Sequence, residues 1–201
     1  MSIAARVWGR AIQDTWRELW TILIVNLLFL LANLLVVLGP PATLALFFYA
    51  NRIAHGESAT ERDFLGAMRT YWKPAWRWGL LNLAVIGILT IDYFLIERVV
   101  ANASRSSFFQ GLYLTLLTTW LLVQVFTPPF LFEQEQPSVI QALRNTVVFL
   151  SRNLVFALVL GLLLVLSLAI GTLLFMLSLA FGAALVAFAS NHAVLEALSN
   201  R

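Results

Sequence analysis

Three long stretches of the chain carry no charged side chain: Leu19–Asn51, Ser106–Phe132 and Asn153–Asn191. A fourth apolar run, Ala75–Ile96, is interrupted by Arg77 and Asp92 alone. Uncharged apolar runs of about 18 residues or more read as transmembrane helices. The first predicted span is Leu19–Leu38, where Gly39-Pro40-Pro41 stops it, because proline removes a backbone donor and clashes with the preceding turn. A shorter apolar segment, 41–54, follows; at about 21 Å of helix it is either a short crossing or a re-entrant segment. Ala75–Ile96 and Phe108–Phe126 are the next two spans. Leu154–Ala189 would form one helix of about 54 Å, too long for a single crossing of a ~30 Å hydrocarbon layer. It divides into 154–170 and 172–190, with a turn near Gly171.

Between the spans lie stretches of helical period with one charged face. In Ile3–Glu18 the apolar side is Val7/Trp8, Ala11/Ile12 and Thr15/Trp16, opposite Arg6, Arg10, Gln13, Asp14 and Arg17. Thr60-x-x-Asp63 has the form of a capping box, followed by Phe64, Met68, Tyr71 and Trp72. Pro137-Ser138-x-x-Gln141 opens a third helix, with Val139, Leu143, Val147 and Leu150 on one face. Basic amphipathic helices of this kind lie in the plane of a membrane interface. The last two also share a weak repeat at an offset of 75, Ala67-Met68-Arg69/Arg77 against Ala142-Leu143-Arg144/Arg152.

Charge decides what the short segment 41–54 does. Cytoplasmic loops carry the Lys/Arg excess. If 41–54 crosses, six spans put 11 of the 13 basic residues on one side and leave Arg98 and Arg105 on the other. Five spans divide them far more evenly. The expectation is therefore an all-α, single-domain bundle of six transmembrane helices with three cytoplasmic amphipathic helices and both termini cytoplasmic. Trp16, Trp20, Trp72, Trp76 and Trp78 fall at the expected inner boundary, where indole rings favour the headgroup level. The N-terminus lacks the pattern of a cleaved signal peptide and is expected to stay attached.

Composition excludes several function classes. With 61% apolar and 11% charged residues, the chain is far from the soluble average. There is no cysteine, which removes disulfide, iron–sulfur and thiol chemistry. His55 and His192 show no metal-ligand spacing, and H-E-x-x-H, Walker A and G-x-S-x-G are missing. The expectation is no enzyme, no cofactor and no nucleic acid, the net charge of +3 being membrane orientation.

The block Asn26–Arg69 resembles the YesL-like family of bacterial membrane proteins, a domain of unknown function. The matching positions are Asn26, Gly39, Pro40, Ala42, Thr43, Phe47, Asp63, Phe64 and Arg69, with further similarity at Asp92-Tyr93-Phe94 and around Pro129 and Ala142-Leu143-Arg144. Pro41 is an extra proline inside the Gly-Pro-Ala-Thr element. The resemblance implies a multi-pass fold in the bacterial cytoplasmic membrane and an accessory role near carbohydrate uptake. It implies no catalytic residue.

Polar groups inside spans are the default functional candidates. Asn26, Asn33, Asn82, Asp92 and Gln124 form a candidate track; the alternative is that the amides bond neighbouring helices. Asp92 lies too near the outer end for a midplane carrier site, and capping or a pairing with Arg98 is favoured. Arg69, Lys73, Arg77, Arg144 and Arg152 are a candidate cytoplasmic patch for anionic lipid, against ordinary positive-inside anchoring. Gly39-Pro40-Pro41 reads as a helix start rather than a transporter's interrupted helix. Ser167-x-x-x-Gly171 and Ser178-x-x-x-Gly182 allow close helix packing. The leading expectation is a non-enzymatic membrane protein acting through helix or cytoplasmic contacts with lipid, a membrane partner or a second copy. The alternative is a small oligomeric carrier or channel lined by Asn26, Asn33 and Asn82.

Overall fold

The computed structural model describes residues 3–100, 102–173 and 176–199, with the side chains of 171–173, 176–182 and 199 left aside. The described residues form nine α-helices and no strand: α1 Ile3–Arg17, α2 Leu19–Leu34, α3 Gly39–Ala54, α4 Glu61–Thr70, α5 Trp72–Val99, α6 Ala103–Phe132, α7 Val139–Arg152, α8 Leu154–Leu173 and α9 Met176–Ser199. Three stretches are long and apolar enough to cross a membrane: Val36–Ala54, Trp72–Val99 and Ala103–Phe132. Two bent pairs, α1 with α2 at 93° and α7 with α8 at 101°, raise the number to five if each pair is one span. Several apolar helices mark the chain as a membrane protein.

The predicted 19–38 span is shorter than expected. Helix α2 ends at Leu34, Leu35 is extended, and Val36–Leu38 makes one 3-10 turn before α3. The chain reverses here because Pro40 and Pro41 occupy the first turn of α3, where their missing N–H groups cost nothing. The opposite case is α6, which runs unbroken through Pro128 and Pro129. Just before them, Thr127 Oγ1 donates to the Val123 carbonyl at 2.9 Å. Helix α8 runs through Leu173, with Gly171 in its last turn, and α9 begins at Met176. The close-packing pattern at Ser178 and Gly182 lies outside the described side chains.

Helix α3 is the centre of the packing, with Ala42, Leu44, Ala45, Tyr49 and Ala50 fully buried. It touches α2, α4, α5, α6 and α9. Helices α5 and α6 form a long antiparallel hairpin. Its register is fixed by Tyr71 against Phe132 at 5.1 Å, Asn82 against Gln124 at 3.2 Å and Glu97 against Gln110 at 2.9 Å. Ala75 is the one buried residue of α5. In α6, burial is concentrated in the last third, from Val123 to Leu131. The hairpin therefore emerges from the packed cluster with Phe94, Val99 and Phe108 exposed at its far end.

Two amphipathic helices turn only part of their apolar face toward the protein. Helix α1 buries Ala4, Val7, Ala11, Asp14 and Thr15 and leaves Trp16 exposed. Helix α7 buries Ala142, Thr146, Phe149 and Leu150, while Val147 is exposed. In a membrane protein apolar side chains also face lipid, so apolar character alone does not say which side meets protein.

Candidate functional site

Two polar clusters are built into the described fold. The first joins α5 to α6. Trp78 Nε1 donates to Gln124 Oε1 at 2.7 Å, and Asn82 Nδ2 donates to the same oxygen at 3.2 Å and to the Trp78 carbonyl at 2.9 Å. Trp120 Nε1 donates to Asn82 Oδ1 at 3.0 Å. Every polar atom of the Asn82 amide is thus engaged. Gln124 Nε2 is buried without a partner among the described residues. These amides join the two helices.

Of the other track residues, Asn26 is buried at 2% exposure in α2. Asn33, seven residues on, is exposed and donates to its own helix at the Phe29 carbonyl, 2.8 Å away. Their shared helix register does not give them a shared environment. Asp92 is half-buried, and no ion pair joins it to Arg98 among the described residues. The structure thus brings together Asn82 and Gln124.

The second cluster lies between the C-terminal ends of α1, α3 and α6 and the second half of α9. Asn51 Nδ2 donates to Glu133 Oε1 at 2.7 Å and to Asn191 Oδ1 at 3.0 Å. Asn191 Nδ2 donates to the carbonyls of Ala187 and Phe47 at 2.8 and 3.2 Å. His55 Nε2 stands 3.6 Å from Glu133, and its Nδ1 is 2.9 Å from the Asn51 carbonyl. Beside it, His192 Nε2 is 2.6 Å from Asp14 Oδ2, with both residues buried. This layer was not legible in the sequence. Helical spacing puts Asp14 on the polar face of α1. A polar residue ending an otherwise uncharged run, as Asn51 and Asn191 do, was the available signal.

The five candidate basic residues, Arg69, Lys73, Arg77, Arg144 and Arg152, are all exposed. None pairs with an acid among the described residues, whereas Arg6, Arg10, Arg17 and Arg52 each do. Helix α4, which carries Arg69, starts from the predicted cap. The Asp63 carboxylate accepts the backbone N–H and the hydroxyl of Thr60, both at 2.8 Å, and pairs with Arg52. These bonds, the Thr60 backbone N–H first, hold the Asp63 carboxyl below its ordinary value. A hollow of about 380 Å³ opens beside α4, lined by Leu38, Leu65, Gly66, Met68, Arg69 and Trp72. A second, of about 410 Å³, lies at the α6–α7 turn among Glu133, Gln134, Glu135, Gln136, Gln141 and Asn145. Among the described residues, no group of three or more His, Cys, Asp or Glu is placed to hold a metal.

Residues 22–93 match the family described as "Protein of unknown function, DUF624". The DUF624 match runs from α2 into α5 and agrees with the YesL-like resemblance of the sequence block. It contains Asn26, Asn33, the Gly39-Pro40-Pro41 turn, Arg69, Lys73, Arg77, Asn82 and Asp92, while Gln124, Arg144 and Arg152 lie beyond it. No curated protein matches the chain, and no solved structure does.

Proposed function

We propose that the chain is a non-enzymatic, multi-pass protein of the bacterial cytoplasmic membrane with both termini in the cytoplasm. It works through its cytoplasmic face, where it binds anionic lipid headgroups and serves as an accessory to a solute-uptake system. Sidedness rests on the basic residues, 11 of 13 on one side. That count holds for six crossings. It holds equally if the α2–α3 hairpin returns without crossing, because a hairpin of either kind brings the chain back to its starting side.

The observation that carries the lipid reading is that Arg69, Lys73, Arg77, Arg144 and Arg152 pair with no acid among the described residues. A basic residue near an anionic surface contributes about 1 kcal/mol, so losing two weakens the attraction more than tenfold. The carrier reading loses support at Asn82, whose amide is engaged between helices. The test replaces all five basic residues with Gln and measures lipid retained by the purified protein from mixed phosphatidylglycerol and phosphatidylcholine. The native chain retains the anionic lipid preferentially and the variant does not. Equal retention by both overturns the lipid reading.

A further inference from the structure

The turn between α2 and α3 carries a run of exposed apolar side chains of a kind that monomeric soluble proteins rarely show. Leu34, Leu35, Val36 and Val37 are 78, 60, 80 and 59% exposed. From Leu34 to Ala42 there is no polar side chain. The turn at the far end of the α5–α6 hairpin is different in kind, with Glu97, Arg98, Asn102, Ser104 and Arg105 around it. That is the composition of a segment that meets water. The α2–α3 turn lacks the Trp, Tyr, Lys and Arg anchors that mark a membrane–water interface.

The packing shows how far this turn reaches. A Cβ built on Gly79 of α5 would lie 2.7 Å from Pro40 Cγ, so the first turn of α3 lies directly on Gly79. Eight residues later in α3, Phe48 stacks against Tyr71, eight residues earlier than Gly79, with ring centroids 5.4 Å apart. Helix α3 therefore runs antiparallel to the start of α5, in step with it. Leu38 shares a hollow with Met68, Arg69 and Trp72, at the junction of α4 and α5. Beyond Gly79, α5 continues for 20 residues to Val99. At 1.5 Å per residue that is about 30 Å, the thickness of the hydrocarbon layer. If α5 crosses, the α2–α3 turn stops on the side where α5 begins.

We infer that α2 and α3 form a re-entrant hairpin whose apolar tip, Leu34–Leu38, is embedded among the acyl chains of the cytoplasmic leaflet and does not reach the outer surface. The segment 41–54 then returns to the cytoplasmic side without crossing. This rests on the membrane orientation proposed above, and it leaves the 11-to-2 division of basic residues unchanged.

The native chain has no cysteine, so single cysteines report position directly. Ser58→Cys, Ser104→Cys and Val36→Cys are placed in the α3–α4 loop, the α5–α6 turn and the hairpin tip. In intact cells a membrane-impermeant maleimide labels S104C, and S58C reacts only after permeabilisation. V36C reacts in neither case, and a fluorophore attached there is quenched by lipids carrying a nitroxide on the acyl chain. Spin labels on the V36C/S104C pair stand about 30 Å apart, the length of α5 beyond Gly79. Labelling of V36C from outside together with S104C, or a short 36–104 distance, overturns the re-entrant hairpin. Labelling of S58C and S104C from the same side overturns the underlying orientation, and the proposal with it.

Discussion

Adding one methyl group at Gly79 tests the contact on which the position of α3 depends. The new Cβ would sit 2.7 Å from Pro40 Cγ and 2.8 Å from Pro40 Cβ. Carbon atoms in contact prefer about 3.5–4.0 Å, so the helices must separate by close to 1 Å. The proline ring cannot rotate away as the end of a long side chain would. Forcing extra methylenes into a packed site costs about 1–3 kcal/mol. Alanine in place of glycine within a helix returns about 0.5–1 kcal/mol. The net expectation for Gly79→Ala is a loss of up to about 2.5 kcal/mol. Gly87→Ala, on the same helix, meets nothing within 4 Å. It keeps the propensity gain without the clash and should be neutral or slightly stabilising. Both variants are compared with the native protein by thermal unfolding in one detergent. Opposite signs support the Pro40–Gly79 contact. Equal stability of the two variants refutes it, and with it the alignment of α3 along α5.

Two other perturbations probe the polar layer and the α4 cap. Asp14→Ala leaves the buried His192 ring without its partner at 2.6 Å. It should cost about 1–3 kcal/mol in thermal unfolding, while Asp14→Asn recovers part of that; an Asp14→Ala variant as stable as the native protein refutes the pairing. The depressed Asp63 pKa means that the folded state binds its proton less tightly than the unfolded state. Its stabilisation is present above the ordinary carboxylate value and disappears as pH falls through the lowered one. The native protein should therefore be more stable than Asp63→Asn at pH 6, with the difference closing toward pH 2; a pH-independent difference contradicts the role of the charge.

Helix positions were largely legible in the sequence because charge and proline mark helix ends. Thr60 and Asp63 announce α4, Ser138 precedes α7, and Pro40-Pro41 open α3. Orientation of the faces was less legible. Spacing puts Val139, Leu143, Val147 and Leu150 on one face of α7, yet Leu150 is buried and Val147 is 56% exposed. In water, apolar means inward; in a bilayer the exposed surface is apolar too, and the pattern loses its sign. Asp14 was misplaced for a related reason. Its partner His192 is 178 residues away, and no local spacing reveals a buried pair made at that distance. The Asn82–Gln124 bond joins two residues both singled out as polar within spans, so their candidacy was legible and their meeting was not.

Counting basic residues on each side of a membrane measures parity, because it registers whether a segment returns and not how deep it goes. The comparison of six spans with five made the short segment 41–54 the variable and held α2 fixed as a crossing. Once α2 and α3 are treated as one unit, a crossing hairpin and a returning one satisfy the same count. The re-entrant reading inferred above chooses between them on packing, through Pro40 on Gly79 and Phe48 on Tyr71. A returning hairpin also accounts for the company Leu38 keeps. It brings an apolar turn beside the exposed Trp72 and the unpaired cation Arg69 at the rim of one hollow. Apolar surface below and a free cation above is the order of groups in an anionic phospholipid, chains first and headgroup last. On the lipid reading proposed above, the apolar tip and Arg69 are two levels of one lipid-facing surface.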